Sequence, residues 1–87
     1  MLFQTGQIVA TPGALSLAEQ GLDLLVCLQR HLSGDWGDLC EEDKAENEFS
    51  LKHSFRLMSS YNTTFGKLWI ITEADRSVTT FLLPEEY

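Results

Sequence analysis

The chain has 87 residues, and its 13 Asp and Glu residues outnumber its six Lys and Arg residues, giving a formal net charge of −7. A doubly wound cofactor-binding domain needs roughly 150 residues, so the length excludes an enzyme built on that domain. Direct nucleic-acid binding is not expected, because it needs clustered Lys and Arg to neutralise phosphates. The composition predicts one small acidic domain over residues 1–87.

The N-terminus and the cysteines indicate the compartment. Residues 1–7 have no basic cluster and no long apolar run, so they do not resemble a signal peptide. The longest apolar run, residues 24–28, is far too short to cross a membrane. Two cysteines, Cys27 and Cys40, are too few for a disulfide framework. We therefore expect a cytoplasmic protein with reduced cysteines and no membrane contact.

Two helices are predicted near the start of the chain, after a possible short strand over residues 7–10. Thr11 followed by Pro12 is typical of a helix N-cap and its first helical position. Asp23 can cap a second helix over residues 24–32. The first five residues of that helix are apolar on all sides, which predicts a central and fully buried helix.

A third predicted helix runs from Leu39 to about Lys52 and is strongly acidic. Asp38 and Glu41 at its start form an Asp-x-x-Glu arrangement, which is close to a capping box. One side of this helix is mostly carboxylate. The expected apolar side is thin and consists of Leu39, Ala45 and Phe49.

The second half of the chain has the period of two that is typical of strands. Three strands are predicted, over residues 55–61, 68–72 and 78–83. The predicted fold class is therefore α+β, with N-terminal helices followed by a three-stranded antiparallel β-meander. Helices on one face of this sheet would leave the other face open, and the candidates to line that face are Trp69, Ile71 and Phe81.

Most of the negative charge is concentrated in one segment. Between Asp35 and Glu48, seven carboxylates accompany one lysine, a net charge of −6. Trp36 either fills the core or anchors a partner. The carboxylates either form a solvated face or bind a basic partner, such as a nucleic-acid-binding protein. The partner-binding surface predicted by the second interpretation consists of Asp35, Trp36, Asp38, Glu42 and Glu46.

A possible ligand cluster lies between the last two predicted strands. Glu73, Asp75 and Arg76 place two carboxylates and a guanidinium in one turn, an arrangement that can grip a polar ligand. The plainer interpretation is a solvated turn, in which Asp75 binds backbone amides and Arg76 pairs with a neighbour.

The residue types also allow an enzymatic alternative. A small toxin-like ribonuclease would use general acid–base chemistry on the sheet, with candidate residues His53, Arg56, Tyr61 and Arg76. The acidic balance opposes this function, because such a surface must first attract phosphate.

The histidines and cysteines suggest no metal site. Cys27 and His31 lie one helical turn apart, and Cys40 and His53 are the remaining candidates to complete a zinc site. Their spacing matches no zinc finger or knuckle, and Cys27 lies in the most apolar stretch. We predict no metal, and we also predict no cofactor.

Several stretches resemble a family of short bacterial "plasmid-related" proteins that occur on plasmids and integrated elements. The resemblance is carried by residues 6–14, 31–38, 41–48, 68–77 and 79–87. The chain departs from the family at residues 60–66, where the family's hairpin loop is usually more polar. Such proteins are sometimes labelled as a modification subunit of type I restriction enzymes. This chain has neither the length of a methyltransferase nor an Asn-Pro-Pro-Phe-type motif.

The resemblance implies a setting on mobile DNA and no particular chemistry. The leading hypothesis is therefore a non-enzymatic accessory protein of a mobile element that acts by protein–protein contact. A homodimer that pairs through the exposed face or edge of the sheet is a further hypothesis.

Overall fold

The computed structural model describes all 87 residues, from Met1 to Tyr87. The chain forms three α-helices and one four-stranded sheet, and it ends in a short 3-10 helix. None of the helices is long and apolar enough to cross a membrane. In chain order the elements are β1 (Gln7–Ala10), α1 (Pro12–Gln20), α2 (Leu24–Leu32), α3 (Glu41–His53), β2 (Leu57–Thr63), β3 (Gly66–Thr72), β4 (Val78–Leu82) and the 3-10 helix (Pro84–Glu86).

The sheet is mixed, with the strand order β1-β4-β3-β2. The predicted antiparallel meander is present as β2, β3 and β4, with Ser59, Ile70 and Phe81 side by side. The short strand expected over residues 7–10 is present as β1, but the prediction of a three-stranded sheet is wrong. β1 precedes the helices and pairs in parallel with β4, placing Gln7 opposite Val78. The α+β class is therefore confirmed, but the sheet has a fourth strand.

The first two helix starts follow their sequence signals. The Thr11 hydroxyl accepts a hydrogen bond from the backbone N–H of Ala14. The Asp23 carboxylate accepts hydrogen bonds from the backbone N–H groups of Leu25 and Val26. Both side chains satisfy amides that have no partner within the helix.

The start of α3 differs from the expected capping box. Cys40 is the N-cap residue, and its side chain makes no capping hydrogen bond. The Asp38 carboxylate instead accepts a hydrogen bond from the N–H of Asn62, on β2. Glu41, Glu42 and Asp43 occupy the first turn of α3, where their negative charge interacts favourably with the helix dipole.

The core lies between α1, α2 and one face of the sheet. It joins eight buried side chains: Ala14, Leu17, Cys27, Leu28, Tyr61, Leu68, Ile70 and Phe81. Phe81 therefore lies on the helix-covered face and not on the opposite one. Trp69 and Ile71 lie on the opposite face, where the Trp69 ring contacts the ring of Tyr87 at 5.8 Å between centroids.

The second helix is only half buried, which corrects the expectation of a fully buried α2. Cys27, Leu28 and His31 are buried, whereas Leu25 and Val26 are exposed. The helix lies on one side of the sheet, so only one of its sides can be covered. An apolar run of five residues is therefore compatible with a surface helix.

Candidate functional site

Asp35 and Asp38 belong to the predicted contact surface, but both carboxylates accept hydrogen bonds from other residues of the chain. The Arg30 guanidinium donates a hydrogen bond to Asp35 Oδ2 at 2.7 Å. This hydrogen bond holds the pKa of the Asp35 carboxyl below its ordinary value. Asp38 Oδ2 accepts from the N–H of Asn62 at 2.8 Å, which ties the segment before α3 to β2. Both carboxylates are exposed, yet each already has a partner within the chain.

Trp36 lies in the interior, with only 3% of its surface exposed. Its indole Nε1–H donates a hydrogen bond to Glu48 Oε2 at 2.8 Å. Its ring stacks on Phe3 and meets the edge of His31, with centroid distances of 6.4 and 5.7 Å. The interpretation of Trp36 as a core residue therefore fits the structure. Its placement on a contact surface needs correction, because the ring is not available to a partner.

Glu42 and Glu46 remain exposed, one turn apart on the outer side of α3. Together with Asp43, Ala45 and Phe49 they line a shallow depression in the surface. Lys44 is the single basic residue of the helix's first two turns, and its ammonium lies 3.8 Å from Glu41, outside this depression. The carboxylates that line the depression thus have no basic partner within the chain.

An exposed aromatic pair continues this acidic surface. Phe49 and Phe55 are 50% and 53% exposed, and their rings stack with 5.8 Å between centroids and 8° between planes. The His53 ring lies 4.3 Å from that of Phe49. We call the combined region the α3 surface, and it consists of Glu42, Asp43, Ala45, Glu46, Phe49 and Phe55.

The aromatic pair is exposed because α3 attaches to the sheet by hydrogen bonds. The Asn47 amide donates to the carbonyl of Met58 at 2.7 Å and accepts from the N–H of Met58 at 3.1 Å. Asn47 and Ser50 are the buried residues of the helix. The predicted apolar side, with Ala45 and Phe49, is therefore wrong, because those two residues face outward.

The Glu73, Asp75 and Arg76 cluster is a structural turn. Asp75 Oδ1 accepts hydrogen bonds from the backbone N–H and the hydroxyl of Ser77, which lower the pKa of the Asp75 carboxyl. The Arg76 guanidinium donates to four backbone carbonyls, including those of Ser50 and Phe55. The plainer interpretation of this turn fits these contacts, since its donors and acceptors are turned to the chain itself.

The candidate ribonuclease residues do not converge on one surface. Tyr61 is fully buried, its hydroxyl donates to the carbonyl of Asp35, and burial raises its pKa to about 12. Arg56 donates to Glu73 and to the hydroxyl of Tyr87 instead. Because Tyr61 is fully buried, it cannot contact a phosphate together with the other three residues.

The cysteines and histidines do not come together either. Cys27 is buried, and burial raises the pKa of its thiol, whereas Cys40 is exposed. No group of three or more His, Cys, Asp or Glu side chains is placed to bind a metal ion.

One polar network was not anticipated from the sequence. The Thr79 hydroxyl donates to the carbonyl of Thr5 at 2.8 Å and lies 2.8 Å from the Thr72 hydroxyl. A hydroxyl carries one proton, and that of Thr79 is used for Thr5, so Thr79 accepts a hydrogen bond from the Thr72 hydroxyl. The proton of Thr72 is then used as well, and Thr72 accepts a hydrogen bond from His31 Nε2 at 3.0 Å. The order of donors places a proton on Nε2 of His31. In the neutral ring, Nδ1 of His31 carries a lone pair and accepts a hydrogen bond from the Ser59 hydroxyl.

A serine hydroxyl hydrogen-bonded to a neutral histidine is the arrangement of an activated nucleophile. Here both residues have no exposed surface, so no substrate reaches the Ser59 oxygen. Burial, with a smaller contribution from the nearby Arg76 guanidinium, lowers the pKa of His31 to about 4. The sequence signal was the inward position of Ser59, between Leu57 and Tyr61 on a strand, since an inward polar side chain requires a partner.

Comparisons of the chain with protein-family models, with curated proteins and with solved structures find no match.

Proposed function

We propose that this chain is a non-enzymatic accessory protein that acts through protein–protein contact, with the α3 surface binding a basic segment of its partner. The observation that carries the proposal is the stacked, half-exposed Phe49–Phe55 pair beside carboxylates without basic partners. Asp35, Asp38 and Trp36 are left out of the surface, because each is engaged within the chain.

The charge of the α3 surface favours a basic partner. Residues 35–48 carry a net −6 of the chain's −7. Such a concentration attracts a positively charged partner from a distance and accelerates its association. Glu42 and Glu46 are one turn apart, so a pair of Lys or Arg side chains can engage both carboxylates together.

The Phe49–Phe55 pair supplies apolar binding energy, which a purely acidic surface lacks. Carboxylate contacts with solvent-exposed basic side chains stabilise a complex only weakly. Aromatic side chains that become buried at an interface are frequent sources of binding energy. Phe49 and Phe55 thus favour a partner segment that carries an apolar side chain among its basic ones.

The partner we propose is a basic nucleic-acid-binding protein. The Lys and Arg side chains that contact phosphates in such a protein are also the ones that acidic carboxylates can engage. The resemblance of residues 31–38, 41–48 and 68–77 to plasmid-related proteins supports a mobile element in the bacterial cytoplasm as the setting.

The experiment is affinity capture from the bacterial host followed by mass spectrometry, with two charge-matched variants. The double substitution Glu42→Lys and Glu46→Lys reverses the charge of the α3 surface. The control, Glu19→Lys and Glu85→Lys, makes the same change in net charge at exposed positions elsewhere. A basic protein captured by the wild type and the control, but lost with the first variant, supports the proposal. Capture that is equal for all three forms contradicts it.

A further inference from the structure

The two edges of the sheet differ in how they are protected. On the β2 edge, Asn47 occupies both the N–H and the carbonyl of Met58. The N–H of Asp38 donates to the carbonyl of Ser60, and its carboxylate accepts from the N–H of Asn62. The β2 edge is therefore closed to another strand by groups of the same chain.

The opposite edge, β1, is open. Gln7 and Thr11 donate their N–H groups toward β4, to the carbonyls of Ser77 and Phe81. The backbone N–H and carbonyl groups of successive residues point to opposite sides of a strand. Those of Ile8 and Ala10 therefore point away from β4. β1 is the last strand of the sheet, so no strand of this chain lies on that side.

The β1 edge also lacks the usual protection against strand pairing. Edge strands are commonly blocked by charged side chains, by proline or by a bulge. The four residues of β1 include neither a charge nor a proline. Ile8 and Val9 are 48% and 38% exposed, so the edge presents apolar side chains together with its free backbone groups.

The charge distribution makes this edge suitable for a second copy of the same chain. Residues 1–34 contain two acidic residues and one basic residue, whereas residues 35–48 carry a net −6. The acidic segment lies beside β2, at the far edge of the sheet. When two copies pair through β1, seven strand spacings of about 4.8 Å separate the two β2 strands. That distance is several Debye lengths at physiological salt, so the acidic segments repel only weakly.

We propose that β1 pairs antiparallel with β1 of a second copy and joins the two sheets into one of eight strands. With Val9 on the two-fold axis, Ile8 of each copy lies opposite Ala10 of the other. Each of these two residue pairs exchanges both of its N–H···O bonds, which gives four hydrogen bonds across the axis. Because only four residues of each chain take part, the dimer is at the weak end of the range for protein interfaces.

The test compares the wild type with two substitutions at Ile8. Ile8→Pro removes an outward N–H and leaves the hydrogen bonds from β1 to β4 in place. Ile8→Thr is the matched control, since it keeps a β-branched side chain and the N–H. Sedimentation equilibrium from about 10 to 500 μM is expected to show dimers for the wild type and the control, as weak interfaces require high concentration. Ile8→Pro is expected to remain monomeric.

Amide hydrogen exchange on the wild type supplies a readout that needs no variant. Exchange at Ile8 and Ala10 is expected to slow as the protein concentration rises, while exchange at Gln7 and Val9 changes less. A wild-type protein that is monomeric at the highest concentration overturns the proposal. The β1 edge would then be available to a strand of a different protein. A dimer without added protection at Ile8 and Ala10 also overturns it, because the copies then meet elsewhere.

Discussion

His31 Nδ1 accepts a hydrogen bond from the Ser59 hydroxyl at a position where neither residue is exposed to solvent. The same pair at the mouth of a cleft would form a nucleophile and its base. Here it joins α2 to β2 and continues through Thr72 and Thr79 to the N-terminal segment. The pair therefore stabilises the fold. Because His31 is titratable, the free energy of unfolding depends on pH.

The folded protein is expected to lose stability as the pH falls from 6.5 toward 4. In the unfolded chain His31 binds a proton near its ordinary pKa of about 6.5, whereas in the fold its pKa is about 4. The unfolded state thus binds more protons throughout this window, and its population grows on acidification. Between pH 6.5 and 5 the loss is about 2 kcal/mol, which urea unfolding at several pH values measures.

Two substitutions test whether His31 causes this dependence of stability on pH. His31→Gln is expected to flatten the dependence between pH 6.5 and 5, because the titrating ring is gone. His53→Gln removes the other histidine, which is exposed, and is expected to retain the dependence. A wild-type protein with constant stability over this range would show that His31 is not held neutral by the fold.

Trp36→Ala is expected to destabilise the protein by about 3 to 5 kcal/mol, the range for removing a large aromatic side chain from a core. The reason is the burial of the ring between Phe3 and His31. Trp36→Phe keeps a ring in place and is expected to cost much less. Chemical denaturation of the two variants measures both effects. Stability that is unaffected by Trp36→Ala would place the ring at the surface.

Gly37→Ala and Gly34→Ala separate a backbone clash from backbone strain. Both glycines have positive φ, 79° and 86°, a conformation that costs alanine about 1 to 2 kcal/mol. At Gly37 the added methyl would also clash with the carbonyl oxygen of Ser60, whereas at Gly34 it meets the flexible end of Leu2 at 3.0 Å. Gly37→Ala is therefore expected to have the lower melting temperature. Equal melting temperatures would contradict the close approach of residue 37 to β2.

Local signals in the sequence predicted the elements that depend on local contacts. The caps at Thr11 and Asp23 act through amides two or three residues away, so their spacing was sufficient. The meander of β2, β3 and β4 also pairs neighbours in the chain, through short turns. The parallel partner of β1 is β4, 71 residues further along at Val78, and no local pattern records such a pairing.

Only part of the candidate site could be predicted, because the sequence shows local charge but not the contacts between α3 and the sheet. The concentration of charge over residues 35–48 identified α3, and the exposure of Glu42 and Glu46 agrees with a solvent-facing side. The pattern could not show that Asn47 attaches α3 by hydrogen bonds, because an assignment from apolar residues assumes that a helix buries its apolar side. That assumption placed Phe49 inside, and it thereby hid the exposed aromatic pair.

The most direct measurement of the central claim is the affinity of the captured basic partner for purified forms of this chain at two salt concentrations. The partner is expected to bind the Glu42→Lys, Glu46→Lys variant at least about tenfold more weakly than the wild type at low salt, with a smaller difference at high salt. Phe49→Ser is expected to weaken binding at both salt concentrations, since it removes an apolar contact. Equal affinities for the wild type, these two variants and the Glu19→Lys, Glu85→Lys control would contradict a binding role for the α3 surface.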